Sequence, residues 1–418
     1  MAEAGSEGAL GGIRVVVALL TVAALAALVV ARLRIPYSVT LVVLGLVAGA
    51  LLPKGTIQVT PELVLLVLVP GLVFEAALRL DLEHLRRTFG WIVLLAAPGV
   101  LISALIVALV LHLATGLRFE LGLVVGAMVA ATDPVAVIAT FRRLHVPPRL
   151  ATLVEGESLA NDGTALVLFA ATVAAISGGS SVAETAERMV AAVVSSVGIG
   201  LAAGWLASRL LAFVDDHPIE VTISIAAAYG TYLVADGLEQ SGIIATVVAG
   251  LVIGTYGREH GLSPRALEAL DVVWELIAFL LTAFAFLLVG LAISPADLVA
   301  GAVSIAWGLV GVFVARVVVV YGLVGGLATL IGERAHWPRP PLGWLHVLFW
   351  AGLRGAVAVA MALSLPVGFP ERALLQQITF GVVLFTLFVQ GTTAELVVAR
   401  NRTFRSEVDP PPSATAAD

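Results

Sequence analysis

The chain has 418 residues, of which 60% are apolar and 12% charged, and its formal net charge is −6. A soluble domain carries about 25% charged residues, so this composition excludes an ordinary soluble protein. The sequence contains no cysteine, which excludes disulfides and thiolate metal sites. No basic patch indicates nucleic acid as a partner.

Apolar runs of about 20 residues recur along the chain, and each is long enough to cross a lipid bilayer. We therefore predict an all-α polytopic membrane protein with about thirteen transmembrane helices. The predicted spans are about 13–31, 36–52, 61–78, 91–114, 120–141, 152–177, 187–212, 219–237, 242–256, 272–292, 298–330, 344–365 and 374–399. The membrane domain is expected at 13–400, between an extracellular tail at 1–12 and a short disordered cytoplasmic tail at 401–418.

The basic residues predict how these spans are oriented. With the N-terminus outside, sixteen of the 23 basic residues fall in cytoplasmic loops, five fall outside, and Arg316 and Arg354 lie within spans. Basic residues favour the cytoplasmic side of a membrane. We therefore expect a multi-pass protein of the cell (inner) membrane, with its N-terminus outside and its C-terminus in the cytoplasm.

The spans divide into two groups of six, at about 13–177 and 219–399, joined by a linking helix at about 187–212. A single linking span places the two groups in opposite orientations, which is the inverted-repeat plan of many secondary transporters. Helix-breaking residues occur in the fifth span of each group, at 132–134 and 352–355. We therefore predict two inverted six-helix repeats with discontinuous fifth and twelfth helices.

Two carboxylates fall in stretches that should lie in hydrocarbon: Asp133 in ATDPVAV and Asp162 in EGESLANDGTALVLF. A charge at bilayer depth costs about 3 kcal/mol even on mild scales, so an intramembrane acid indicates a functional site. Pro134 lacks a backbone N–H and opens the helix, which frees carbonyls near Thr132. This combination predicts a site for a small cation or a proton.

The sixth span supplies further oxygen ligands. Glu157 and Asn161 are four residues apart, as are Ser158 and Asp162, so each pair shares a helix face and the two faces adjoin. One side of this helix therefore offers a hydroxyl, a carboxylate, an amide and a second acid. Hard cations prefer such oxygen ligands.

Two buried arginines need partners, because an unpaired buried charge is strongly destabilising. We predict that Arg316 pairs with Glu157, which makes Glu157 structural and leaves the two aspartates as the working acids. Arg354 lies between two glycines, and we predict that it neutralises the C-terminal end of a broken helix. Glu75, near the cytoplasmic end of the third span, is either an outer acid of the site or a side chain that reaches water.

Six segments of the chain carry a family resemblance: VFEAALRL, ATDPVAV, EGESLANDGTALVLF, WELIAFLLTAFAFLLVGL, ARVVVVYG and GLRGAVAVAMAL. Together they resemble the NhaP-type bacterial and archaeal sodium/proton antiporters, which are related to the eukaryotic sodium/proton exchangers. The resemblance covers essentially the whole membrane domain. It implies a transport bundle built around crossed, broken fifth and twelfth helices, and a separate dimerisation bundle that makes a homodimer.

The resemblance also implies roles for single residues. Asp133 and Asp162 would bind the Na⁺ ion and the proton, with the main-chain carbonyl of Thr132 and the side chain of Ser158 as further Na⁺ ligands. Glu75 would act directly or through water.

Two more implied roles concern the neighbouring positions. Glu157 and Arg316 would form a structural ion pair. The adjacent Asn161 and Asp162 match the Asn-Asp pair of the electroneutral branch of the family.

We therefore expect an ion transporter and not an enzyme: an electroneutral antiporter that exchanges Na⁺ (or Li⁺) for H⁺ by alternating access. It would serve sodium and pH homeostasis and need no cofactor beyond the transported ions. A K⁺/H⁺ antiporter is the first alternative, since K⁺ is also a hard cation bound by oxygen. A cation channel is a remote alternative, as is an intramembrane aspartyl protease, which would need a Gly-x-Gly-Asp arrangement that neither aspartate has.

Overall fold

The structure is a computed structural model. It describes residues 36–51, 59–144, 146–178, 182–260, 262, 264–326 and 340–400, with parts of 17–28. All regular elements in these ranges are helices. Most of the predicted first span, 13–31, and both predicted tails, 1–12 and 401–418, lie outside the described residues.

The helices follow one another with short connections. In the first half, α1 to α6 are Tyr37–Leu51, Val69–Arg79, Leu82–Thr115, Phe119–Ala130, Val135–Leu144 and Pro148–Gly178. The linking helix α7 is Val182–Leu211. In the second half, α8 to α15 are His217–Gly237, Gly242–Val252, Pro264–Ala292, Pro295–Ala300, Ala302–Gly326, Leu342–Trp350, Ala356–Ser364 and Arg372–Arg400.

Seven helices of the described chain are long and apolar enough to cross a membrane, namely α3, α6, α7, α8, α10, α12 and α15. Two shorter apolar helices, α1 and α4, accompany them. The prediction of an all-α multi-span protein is therefore confirmed at this level. The count of about thirteen spans stays a prediction.

The predicted fifth and twelfth spans are each two helices separated by non-helical backbone. The segment at 131–134 separates α4 from α5, and the segment at 351–355 separates α13 from α14. The two segments touch, since the N–H of Asp133 donates to the carbonyl of Leu353 at 2.8 Å. Both breaks therefore lie at one place in the molecule.

Two helices begin at least eight residues earlier than predicted. Helix α3 starts at Leu82 instead of 91, after Asp81, whose side chain accepts from the N–H of His84 at 2.9 Å. This hydrogen bond holds the pKa of Asp81 below its ordinary value. Helix α10 starts at Pro264 instead of 272. Hydropathy detects only the apolar part of a helix, whereas the hydrogen-bonded backbone continues into polar turns.

Helix α3 stays continuous across Pro98 because its backbone widens into a π-helical turn at Leu95–Gly99. A proline has no backbone N–H, so it removes one hydrogen bond from the helix. Thr164 of α6 donates its hydroxyl to the carbonyl of Ala96 at 2.5 Å. This bond fixes α6 against α3.

Helices α1 and α10 cross with their backbones in contact. A Cβ atom on Gly45 would lie 2.2 Å from the carbonyl oxygen of Leu287, and one on Gly290 would lie 2.2 Å from the carbonyl oxygen of Val42. Small residues allow such close crossings in membrane proteins. The crossing sets the spacing of two helices that line the cavity described below.

Candidate ion-binding site

Helix α6 holds the broken backbone at Thr132. The N–H of Thr132 donates to Asn161 Oδ1 at 3.2 Å, and Asn161 Nδ2 donates to the Thr132 hydroxyl at 2.7 Å. The hydroxyl of Ser158 donates to the carbonyl of Thr132. Non-helical backbone at membrane depth must find its partners within the protein. Each polar group of Thr132 finds one on α6.

Asp133 is fixed by contacts on both sides. Its N–H donates to Leu353, as described above, and its Oδ1 accepts from the N–H of Val135 at 3.1 Å, which caps the first turn of α5. A Cβ atom on Gly355 would lie 2.1 Å from Asp133 Oδ2. The carboxylate therefore packs directly against the backbone of the other broken span, and only glycine leaves it room.

Asp133 and Asp162 line the same cavity, which has a volume of about 1050 Å³. Thr132, Pro134 and Ser158 line it beside them. The charged side chains that also line this cavity are Glu75, Arg79, Arg143, Glu155, Glu275 and Glu395. Several of these are well exposed, Glu275 to 70%, so solvent reaches the cavity from the end predicted to be cytoplasmic.

Two predicted site residues lie away from the cavity. Asn161 is 2% exposed and directs its amide to Thr132, so it supports the break. Glu157 is 3% exposed and pairs with Arg316. The pair is bidentate: Arg316 Nη1 donates to Glu157 Oε1, and Nη2 donates to Oε2 at 3.1 Å.

The two buried arginines meet the C-terminal end of α13. Arg316 Nη2 donates to the carbonyl of Leu348 at 2.5 Å, and Arg354 Nη1 donates to the carbonyl of Gly352 at 2.7 Å. The N–H of Arg354 donates to Thr386 of α15 at 3.1 Å. A helix C-terminus carries partial negative charge and free carbonyls, so both cations lie where they stabilise the break.

Glu75, on α2, lines the same cavity as Asp162. Its Oε1 is 2.8 Å from Arg79 Nε, and Arg79 Nη2 is 3.9 Å from Glu275 Oε2. Glu75 therefore lines the cavity as part of an ion pair.

Two residues of this region were not singled out from the sequence. Thr386 accepts the N–H of Arg354, and nothing in its local sequence marks it. Glu155 lines the cavity, and a signal for it exists: it lies seven residues before Asp162, which places both on one helix face.

Comparison of the sequence with known proteins identifies the family of this chain. The sequence profile described as sodium/hydrogen exchanger, transmembrane, matches residues 17–400. The chain belongs to the sodium/hydrogen exchanger family. It is 38% identical to the Na⁺/H⁺ antiporter ApNhaP of Aphanothece halophytica, over 88% of this chain and 70% of that protein. It is 37% identical to the low-affinity Na⁺/H⁺ antiporter NhaS1 of Synechocystis sp., over 91% of this chain and 72% of that protein.

A solved structure shows the same fold. The sodium proton antiporter MjNhaP1 from Methanocaldococcus jannaschii superposes with a TM-score of 0.77 over 93% of this chain and 98% of its own, at 19% identity. The family resemblance drawn from the six segments is thus confirmed. So is the prediction of a transporter and not an enzyme, because the named relatives are antiporters.

The pair of Glu157 and Arg316 makes a prediction about stability. Arg316→Ala leaves the Glu157 charge buried without its partner, which costs about 3–5 kcal/mol. We expect the melting temperature of the detergent-purified protein to fall clearly. Asp162→Asn serves as the control, since it removes a cavity-facing charge and keeps this pair. Equal melting temperatures for the two variants would contradict a structural role for the pair.

Proposed function

We propose that this protein is a secondary antiporter that exchanges Na⁺ for H⁺ across the cell (inner) membrane. The observation that carries the proposal is that Asp133 and Asp162 line one solvent-reached cavity, beside Thr132 and Ser158. The relatives named Na⁺/H⁺ antiporters support sodium as the cation.

The mechanism is competition for one set of oxygens. A monovalent cation needs the negative charge of Asp133 and Asp162, and a proton on either carboxyl group removes part of that charge. The Ser158 hydroxyl donates to the Thr132 carbonyl. Because a hydroxyl rotates and carries two acceptor lone pairs, it can turn to the cation and release that carbonyl as a second ligand. Binding of one substrate therefore excludes the other.

We propose that the chain contains two inverted repeats, at 13–177 and 219–399, joined by the helix at 187–212. Such repeats would allow the ion-loaded site to open first to one side of the membrane and then to the other. Support comes from a parallel between the halves. The break at Thr132 is held by α6, and the break at Arg354 is held by α15 through Thr386. These long helices are the sixth of each proposed repeat. Rocking of such a unit against the remaining helices gives alternating access.

The proposed arrangement includes a membrane domain at 13–400 with the N-terminus outside and the C-terminus in the cytoplasm. In that orientation the cavity faces the cytoplasm. We also propose a homodimer, as the family resemblance implies. Of the seven described spans, α7 has the smallest share of its apolar window buried within the chain, 17%, so most of this window is available to face lipid or a second copy.

The two aspartates give the direct test of the site. Asp133→Asn and Asp162→Asn each keep side-chain size and remove an ionisable ligand, so Na⁺-dependent proton flux in proteoliposomes should vanish. Asp297→Asn, at an exposed aspartate outside the cavity lining, is the matched control and should keep wild-type flux. Near-wild-type flux in Asp133→Asn or in Asp162→Asn would contradict the proposed ion-binding site.

Gly355 tests whether the second break positions the first. Gly355→Ala places a methyl group 2.1 Å from Asp133 Oδ2, so the carboxylate must move. Such overpacking costs about 1–3 kcal/mol. We expect a large loss of Na⁺/H⁺ exchange with a modest fall in melting temperature. Gly230→Ala, inside α8 where nothing lies within 4 Å of the added atom, should keep exchange and should not lower the melting temperature.

Stoichiometry is the third test. Asn161 cannot ionise and is engaged with Thr132, which leaves two ionisable groups at the site. We propose that only one of the two aspartates changes its protonation in a cycle, as the match of Asn161 and Asp162 to the electroneutral branch implies, so one cation exchanges for one proton. Transport should therefore move no net charge and ignore an imposed membrane potential. A steady current on a solid-supported membrane that scales with the sodium gradient would overturn electroneutrality and leave the site assignment standing.

A further inference from the structure

The short helix α14 begins directly after Gly355, the glycine that packs against the carboxylate of Asp133. The helix has nine residues, which at a rise of 1.5 Å per residue gives a length of about 14 Å. Its hydrogen-bonded backbone keeps this length fixed. Any contact that holds the C-terminal end of α14 therefore also bears on the position of Gly355.

Two side chains of α15 hold that C-terminal end, where the last carbonyls of a helix have no partner within it. Arg372 Nη2 donates to the carbonyl of Leu363 at 3.3 Å, and Gln376 Nε2 donates to that of Ala362 at 2.9 Å. Arg372 Nε also donates to the carbonyl of Leu365, just beyond the helix, at 2.9 Å. Arg372 and Gln376 contact each other as well, with Nη1 donating to Oε1 at 3.5 Å. We call these two side chains the α14 clamp.

Arg372 directs its charge to this helix end and not to an acid. None of the ion pairs within the described part of the chain includes it. A helix C-terminus carries partial negative charge, so a cation stabilises it. Arg316 and Arg354 hold the C-terminal end of α13 in the same way. Both halves of the broken span therefore end at arginine side chains.

Helix α15 also holds the opposite end of α14. Its Thr386 accepts the N–H of Arg354 at 3.1 Å, and Arg354 immediately precedes Gly355. Gln376 and Thr386 are ten residues apart along α15, which is about 15 Å and close to the length of α14. Helix α15 is therefore bonded to both ends of α14, and a change at the clamp reaches Gly355 through a helix of fixed length.

The chain bends sharply to bring Arg372 to this position. Gly368 has a φ of 90°, and Glu371, which directly precedes Arg372, has a φ of 52°. Such a positive φ is uncommon for a residue other than glycine. Backbone strain of this kind persists only where surrounding contacts hold it. The hydrogen bonds of the clamp are contacts that hold this turn.

We propose that Arg372 is a positioning residue for the ion site. Together with Gln376 it fixes α14 along its axis, and thereby fixes Gly355 against the carboxylate of Asp133. This inference rests on the proposed antiport function. Neither side chain of the clamp lines the cavity of Asp133 and Asp162. Arg372 therefore acts through α14 and does not touch the transported ion.

The test measures Na⁺-dependent proton flux of Arg372→Gln in membrane vesicles of both orientations. The variant holds α14 less firmly, so the Na⁺ concentration for half-maximal exchange should rise about three- to tenfold, or about 1 kcal/mol of binding free energy. Because both faces reach the same site in turn, the rise should occur with Na⁺ added on either side. A lower amount of folded protein with an unchanged half-maximal concentration would show a purely structural role and overturn the proposal.

An effect of surface charge has the opposite sign. In the proposed orientation Arg372 lies on the extracellular side, where its positive charge repels cations, so electrostatics alone would lower the half-maximal concentration at that face in Arg372→Gln. The charge control is Arg118→Gln, at an arginine of the same side that is 65% exposed and 3.6 Å from Glu120. Its half-maximal concentration should stay within about twofold of wild type. A fall confined to the extracellular face, or an equal change in both arginine variants, would overturn the positioning role.

Two milder variants test the clamp itself. Gln376→Met keeps the side-chain length and removes one donor without a change of charge, so it should raise the half-maximal concentration by a smaller factor at both faces. Arg372→Lys keeps the charge but lacks the planar fork that reaches two carbonyls, so its value should lie between wild type and Arg372→Gln. These variants also decide the matter if Arg372→Gln does not fold, because unchanged values in both would overturn the proposal.

The remaining outcomes distinguish this inference from the proposed function. Exchange in wild type with an unchanged half-maximal concentration in Arg372→Gln and Gln376→Met would overturn the positioning role alone. An absence of proton flux in wild type with Na⁺, Li⁺ and K⁺ tested in turn would overturn the antiport function and the positioning role together.

Discussion

The hydrogen bond from the N–H of Asp133 to the carbonyl of Leu353 joins two stretches of broken helix, and the site depends on it. An unsatisfied backbone group costs several kcal/mol in hydrocarbon, so an isolated break would be unstable there. Two breaks that supply each other with partners remove part of this cost. The bond also ties the position of α5 to that of α14. The carboxylate of Asp133 is therefore placed by backbone contacts from two spans, and a shift of either span moves the carboxylate.

Helix α6 performs two tasks on two faces. Ser158 and Asp162 line the cavity, whereas Glu157 and Asn161 point to Arg316 and to Thr132. The second group needs rigid contacts, because it holds unwound backbone and compensates a buried charge. The first group needs solvent and the freedom to exchange partners. Side chains four residues apart share a helix face, whereas adjacent ones point in directions about 100° apart, so one segment serves both demands; Ser158 takes part in both, since its hydroxyl also donates to the Thr132 carbonyl.

Much of this arrangement follows from local chemistry, and the remainder depends on contacts that no local pattern encodes. Pro134 indicates the first break, and charge balance within a membrane pairs Arg316 with Glu157. Helical spacing placed Asn161 next to the acids and suggested an ion ligand, but the structure directs it to a backbone group that only the broken helix exposes. The hydrogen bond from the Thr164 hydroxyl to the carbonyl of Ala96, within the π-helical turn at Leu95–Gly99, is likewise a contact between segments far apart in the sequence.

The two oxygens of Asp133 explain why this position needs an acid and not merely a cap. Oδ1 accepts the N–H of Val135, and a neutral asparagine could do the same. Oδ2 packs against the bare backbone of Gly355, in the cavity that Asp162 shares. A cap alone would not select a carboxylate, which is costly at membrane depth. No fold contact described for this carboxylate requires its charge, and this supports the proposal that Asp133 binds the transported ion.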